Sequence, residues 1–434
     1  MGRLILEQGR LIDPAHQLDT PGAVIIEEGR IRAVVPATDG PISAEPGDER
    51  VDVRGAWIAP GFVDMRASLR EPGYEHKEDI HSGLQAGAAG GYTSVCALPD
   101  TDPVMDRPSV VVQVLERAAN ARGARLLPIA AATRGLGDEH LAPIGELADA
   151  GCVAVTQGEK PIGSPRLMRR ILEYCGGFEL PVLTSAVDPT FPGLCDEGIW
   201  STRLGLPSTP AAAETMALAR DIALAELTGQ RLHLSRISTK AGLELVARAK
   251  DQGIPVTCDV TAHHVTLTTA ALVDYDPNTR VWPPLRSEAD LEALRAGLGS
   301  GVIDAVVSDH QPHHLEDKAH EFPVAASGVS ALETVVPLML ERVASGDLDP
   351  AGLIRLLAVG PMASLGLEPQ GLMEGHIADL TVVDPSRTWT VTRDTLVSQG
   401  KNTPFLDRTF AGRATFTVVA GELVYRASEK QELS

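Results

Sequence analysis

Eight short apolar runs spread over residues 57–308 constrain the fold of this chain more than any other feature. They are Trp57–Asp64, Thr93–Leu98, Leu126–Ala131, Cys152–Val155, Val182–Ser185, Leu232–Ser235, Ile254–Val260 and Val302–Ser308. A continuous apolar run of this length suits a strand buried on both faces, as in parallel sheets covered by helices. Most of the runs are followed by a helical pattern. Ala211–Leu227 and Ala241–Lys250, for example, are rich in Ala and Leu, carry charges at helical spacing and lack proline. Eight such alternations predict a (β/α)₈ TIM-type barrel. The two ends read differently, as short strands separated by turn residues: Arg3–Glu7, Ala23–Glu27 and Ile31–Val35 at the start, then Asp379–Asp384, Thr388–Val391, Thr415–Val419 and Glu422–Tyr425. Residues 1–55 with 370–434 are therefore expected to form a small β-sandwich domain beside a barrel of residues 56–369.

The chain has 434 residues and is 44% hydrophobic, enough to bury a large core. Its formal net charge of −20, from 38 Lys and Arg against 58 Asp and Glu, opposes binding to nucleic acid or anionic membrane. Five cysteines without a C-x-x-C pair suit reduced thiols and a cytoplasmic setting. No apolar stretch reaches the roughly 18 residues that a membrane helix needs.

In a barrel of this type the chemistry sits just past the C-terminal strand ends. The first strand leads into Pro60-Gly61-Phe62-Val63-Asp64-Met65-Arg66-Ala67-Ser68-Leu69-Arg70-Glu71-Pro72-Gly73, and the second runs from Ala88-Ala89-Gly90-Gly91-Tyr92-Thr93 to Leu98-Pro99-Asp100-Thr101. Further on come Val260-Thr261-Ala262-His263-His264, Pro283-Pro284-Leu285-Arg286, Asp309-His310-Gln311-Pro312-His313 and Lys401-Asn402-Thr403-Pro404-Phe405. These segments resemble the dihydroorotases of the amidohydrolase superfamily, and the likeness spans nearly the whole chain. It implies a barrel beside a β-domain made from both termini. The implied chemistry is interconversion of carbamoyl aspartate and dihydroorotate in pyrimidine biosynthesis, with zinc activating water.

The resemblance also says which positions should hold metal. At the His-x-His pair stand Arg66 and Ser68, at the strand-four aspartate Gln157, and at the strand-five and strand-six histidines Ser185 and Arg236. Glu159 and Lys160 lie two and three residues beyond Gln157, so their use would require a rearranged loop. Asp309 alone matches, and with two arginines nearby it is expected to become a buried salt-bridge partner. Arg70 and His313 match residues that bind the substrate carboxylate, whereas Asp100 and Trp282 replace asparagines. His263, His264, His310, His313 and His314 belong to loop signatures and are expected to serve hydrogen bonding and packing, as is His233 in the barrel wall.

On this reading the chain is expected to hold no metal cofactor and not to be an enzyme. It resembles non-catalytic dihydroorotase homologues that support aspartate transcarbamoylase, through a hetero-oligomer and self-association. The alternatives are an active cyclic amidohydrolase with an atypical metal site and a ligand-binding regulatory module.

Overall fold

The computed structural model describes residues 2–40, 42, 43, 45–185 and 187–428. Eight parallel strands form one sheet: Phe62–Ala67, Tyr92–Ala97, Arg125–Ala131, Ala154–Thr156, Val182–Ser185, Leu232–Ser235, Val256–Thr261 and Ala305–Val307. Closure comes just past the last strand, where His310 bridges Ala67 in parallel and Ser68 N donates to His310 O at 2.8 Å. The sheet is thus a (β/α)₈ barrel, as the eight runs predict. Most strand residues are buried, because side chains on one face fill the barrel and those on the other meet the helices. Val63, Met65, Cys96, Ile129, Leu183 and Val307 belong to one cluster of buried side chains. A second, larger cluster includes Val95, Leu126 and Val260 from the strands and Leu84, Ile171 and Leu218 from the helices.

The helix starts are chemically marked. Asp79 caps Ile80–Ala89 by accepting from Ser82 N, Ser164 caps Pro165–Gly176 and Thr239 caps Lys240–Asp251. The two helices expected at Ala211–Leu227 and Ala241–Lys250 span Ala211–Thr228 and Lys240–Asp251.

Both chain ends build the β-domain. Its hydrogen-bonded order is Glu422–Arg426, Thr409–Val419, Leu380–Thr390, Trp57–Pro60, Leu4–Asp13, Leu18–Glu27 and Arg30–Pro36, with Glu49–Asp52 paired to Leu4–Asp13. The run Trp57–Asp64, read as one strand, is two. Trp57–Pro60 joins the terminal sheet, Gly61 breaks the run, and Phe62 begins the barrel. A Cβ at Gly61 would stand 2.1 Å from Thr93 Oγ1, so only glycine fits at this junction. Conversely, the runs at Asp379–Asp384 and Thr388–Val391 merge into the single strand Leu380–Thr390, interrupted by register shifts. No helix among the described residues is long and apolar enough to cross a membrane.

Candidate active site

The candidate positions converge where the strands end. Arg66 is the penultimate residue of the first strand, Gln157 and Arg236 directly follow the fourth and sixth, Ser185 closes the fifth and Asp309 stands two residues past the eighth. Arg70, Arg236 and Asp309 all have positive φ, at 63°, 62° and 48°. Non-glycine residues adopt this backbone region at a cost and tend to do so at functional sites.

Arg66 Nε donates to Asp309 Oδ1 at 2.7 Å, and its Nη2 donates to Glu159 Oε1 at 2.6 Å. Arg236 Nη1 donates to Glu159 Oε2 at 2.8 Å and to the Trp282 carbonyl at 2.8 Å, and lies 3.4 Å from both Asp309 oxygens. Its Nη2 donates to Ser185 Oγ at 2.7 Å. Two guanidiniums therefore face two carboxylates in a charge-balanced group, and the Arg66, Arg236 and Asp309 side chains are at most 3% exposed. Burial works to raise the Glu159 carboxyl, but Arg236 and Arg66 outweigh it and hold Glu159 down at about 2. Burial likewise opposes the charge on Arg66, yet Glu159 and Asp309 raise its pKa.

Glu159 is the member that motif comparison did not place. Gly158, at φ +66°, turns the chain so that the next residue reaches inward, and a Cβ on Gly158 would stand 2.7 Å from Asp100 Oδ1. The only signal in the sequence was an acid two residues beyond Gln157. Gln157 itself turns away, donating from Nε2 to Thr133 Oγ1 and the Gly137 carbonyl at 2.8 and 2.9 Å. Ser68 Oγ and Asp100 Oδ1 are buried without a hydrogen-bond partner. Burial first, and the Glu159 charge next, push the Asp100 carboxyl up. Trp282 contributes its carbonyl to the arginine group.

Arg70 and His313 stand together at one side. Arg70 Nε donates to the Pro312 carbonyl at 3.1 Å, and Nη2 approaches His313 Nε2 at 3.4 Å. His313 Nε2 lies 2.9 Å from the Ser327 carbonyl, which can only accept, so the proton belongs on Nε2. Burial, and then the Arg70 charge, push His313 down to about 3, leaving it neutral near pH 7. The other histidines do not converge on one point. His264 bonds Thr261 Oγ1 and the Pro283 carbonyl, while His310 accepts from Ala331 N. His233 lies between Thr257 and Asp259, and His314 caps a short helix.

The chemistry of this donor set does not fit the zinc that the resemblance implies. A dication beside Asp309 would stand against two fixed guanidinium charges, and the Glu159 and Asp309 carboxylates already serve those arginines. Among the described residues no three His, Cys, Asp or Glu side chains gather as a metal-ion cluster.

The Dihydro-orotase-like family model matches residues 55–242. A dihydroorotase of Pelobacter propionicus is 41% identical over 98% of this chain and 99% of its own, and one of Trichlorobacter lovleyi is 40% identical over 97% and 99%. Among solved structures, the L-hydantoinase (dihydropyrimidinase) of Arthrobacter aurescens superposes with a TM-score of 0.87 at 23% identity, covering 99% of this chain and 97% of that one, which supports the fold.

These relatives overturn the expectation of a catalytically inactive subunit that supports aspartate transcarbamoylase, because proteins alike over almost their full length are named dihydroorotase. The expectation that the chain is not an enzyme falls with it. The expectation of no cofactor is corrected as well: the family implies a metal ion, although Arg66, Ser68, Gln157, Ser185 and Arg236 do not form its site. Carried by full-length relatives at about 40% identity, the conclusion is that the chain belongs to the dihydroorotase family.

Proposed function

We propose that the chain is a cyclic amidohydrolase of the dihydroorotase type, interconverting dihydroorotate and carbamoyl aspartate in the cytoplasm. The observation that carries this reading is the 41% identity to a protein named dihydroorotase across 98% of the chain. Ring opening adds water across the ring amide: the oxygen joins the carbonyl carbon, the C–N bond breaks, one hydrogen goes to the leaving nitrogen to give an uncharged carbamoyl NH2, and the new carboxylic acid releases one proton to become a carboxylate. Arg70 is the group suited to anchor the substrate carboxylate, since its guanidinium stands at the barrel mouth and makes no ion pair among the described residues. Arg66 and Arg236 present further positive charge where the reacting amide would lie, and an oxygen that gains charge there would compete with Glu159 for them.

Genetic complementation tests the proposal. Expressed in a bacterial strain that lacks dihydroorotase and requires uracil, the chain should restore growth without uracil. Failure of the well-expressed, folded protein to do so, with zinc or manganese supplied, would overturn the reading.

A further inference from the structure

Beside the ion-paired group lies a cavity of about 350 Å³ whose lining includes His313, the neighbour of Arg70, but not Arg70, Arg66 or Arg236. It is walled by the loop after the eighth strand, the segment around Lys401, and residues from the 76–77 and 277–278 loops. Lys77, Lys318, Arg393 and Lys401 line it, and no aspartate or glutamate does. On a chain of net charge −20 this is a local inversion of sign. His76, His313 and His314 add three imidazoles to its lining.

The cations are arranged with little compensation. Lys77 has a carboxylate within ion-pair distance, Asp317 at 3.2 Å, whereas Lys318, Arg393 and Lys401 make no ion pair among the described residues. Lys318 is 7% exposed, and its Nζ donates to the Pro277 and Ala326 carbonyls at 2.9 and 2.7 Å, which leaves one of three N–H donors. Burial first, and the Arg280 charge next, push Lys318 down to about 7, against the weaker opposing pull of Asp276 and Asp317. Lys401 Nζ is steered by the Leu396 carbonyl at 2.6 Å.

The wall is also built to stay in place. Buried Asn402 accepts from His313 N at 2.8 Å and donates to the Gln311 and Gly328 carbonyls at 3.0 Å, tying the C-terminal segment to the strand-eight loop. Pro277, Leu315 and Ala319 give the cavity an apolar share. Its volume is in the range of small-molecule sites, and convergent cations on an apolar wall select a compact anion with an organic body.

We propose that this cavity binds a small organic anion carrying at least two negative charges on one group, of the phosphate-monoester or diphosphate class. One carboxylate would leave part of the charge on Lys318, Arg393 and Lys401 unanswered, while a phosphate group offers several oxygens to donors from separate segments.

Titration calorimetry of the full chain with inorganic pyrophosphate tests the proposal. Saturable binding of one equivalent is expected, weakening as salt rises. Arg393→Glu, a surface change, should weaken it at least tenfold, and Lys318→Met combined with Lys401→Met should abolish it, provided the far-ultraviolet circular dichroism is unchanged. If the lysine variant does not fold, the Arg393→Glu result decides alone. No saturable binding to the wild-type protein would overturn the proposal. So would binding that is unaffected by Arg393→Glu but lost in Arg70→Met, which would place the anion at the barrel mouth.

Discussion

Arg66 Nε and Asp309 Oδ1 lie 2.7 Å apart across the closure of the barrel, with both side chains almost fully buried. The pair joins the first and eighth strand ends, which are 243 residues apart in sequence. A buried ion pair need not add net stability, but removing one partner leaves the other charge buried without compensation. Asp309→Asn is therefore expected to cost roughly 3 kcal/mol, whereas removing one charge of each sign, in Arg66→Met with Asp309→Leu, should recover most of that loss. Urea denaturation of the wild-type protein, these two variants and the single variants Arg66→Met and Asp309→Leu checks the expectation. An additive double variant would show that the two side chains are not coupled.

Glu159 is the half-buried member of the same group, with its side chain 30% exposed between Arg66 and Arg236. Glu159→Gln leaves two guanidiniums facing Asp309 alone, so the melting temperature should fall, and added phosphate should restore more of it than in the wild-type protein. Thermal melts of both proteins against phosphate concentration make the comparison. Equal responses would mean that Glu159 does not occupy an anion position.

His263 has both ring nitrogens buried without a hydrogen-bond partner, and burial, with Arg236 second, pushes it down to about 3. The unfolded chain takes up this proton below about pH 6.5 and the folded chain does not, so the histidine costs stability as pH falls from about 6.5 toward 3. Asp64 and Glu333, both pushed up to about 7 chiefly by burial, act in the opposite sense over roughly pH 4 to 7, so a variant must isolate the histidine. Between pH 7 and pH 5 the wild-type protein should lose about 1–2 kcal/mol more than His263→Phe. Denaturant midpoints at the two pH values give the difference.

Much of the architecture is legible in the sequence because burial on both faces writes itself as an apolar run. Val182–Ser185 and Leu232–Ser235 are strands with those same bounds. The run from Trp57 misled because apolar character does not reveal which sheet a strand joins, and the dividing signal was a single Gly61. Strand-end positions also indicate that Arg66, Arg236 and Asp309 share one mouth, since each stands at or just past the C-terminal end of its own strand. Glu159 was not legible, because its place depends on the left-handed turn at Gly158. Nor was the positive φ of Arg236 and Asp309, which no local preference dictates. The functional expectation failed for another reason: it weighed five exchanged ligand positions above the rest of the chain, and relatives alike over almost their full length are named dihydroorotase.

Arg70 carries the substrate-binding part of the proposal. Replacing its guanidinium with a neutral side chain in Arg70→Met should raise KM for dihydroorotate at least tenfold while changing kcat less, because a carboxylate anchor acts on bound substrate and transition state alike. Steady-state rates over a range of dihydroorotate concentrations separate the two effects. An unchanged KM would remove Arg70 from substrate binding.

The most direct test of the central claim is to follow the purified chain from both sides of its proposed reaction, starting from dihydroorotate or from carbamoyl aspartate, with and without added zinc or manganese. A dihydroorotase drives both mixtures to the same final ratio, at initial rates proportional to protein concentration. That result is predicted, whereas mixtures that stay at the uncatalysed rate in both directions and under every metal condition would contradict it.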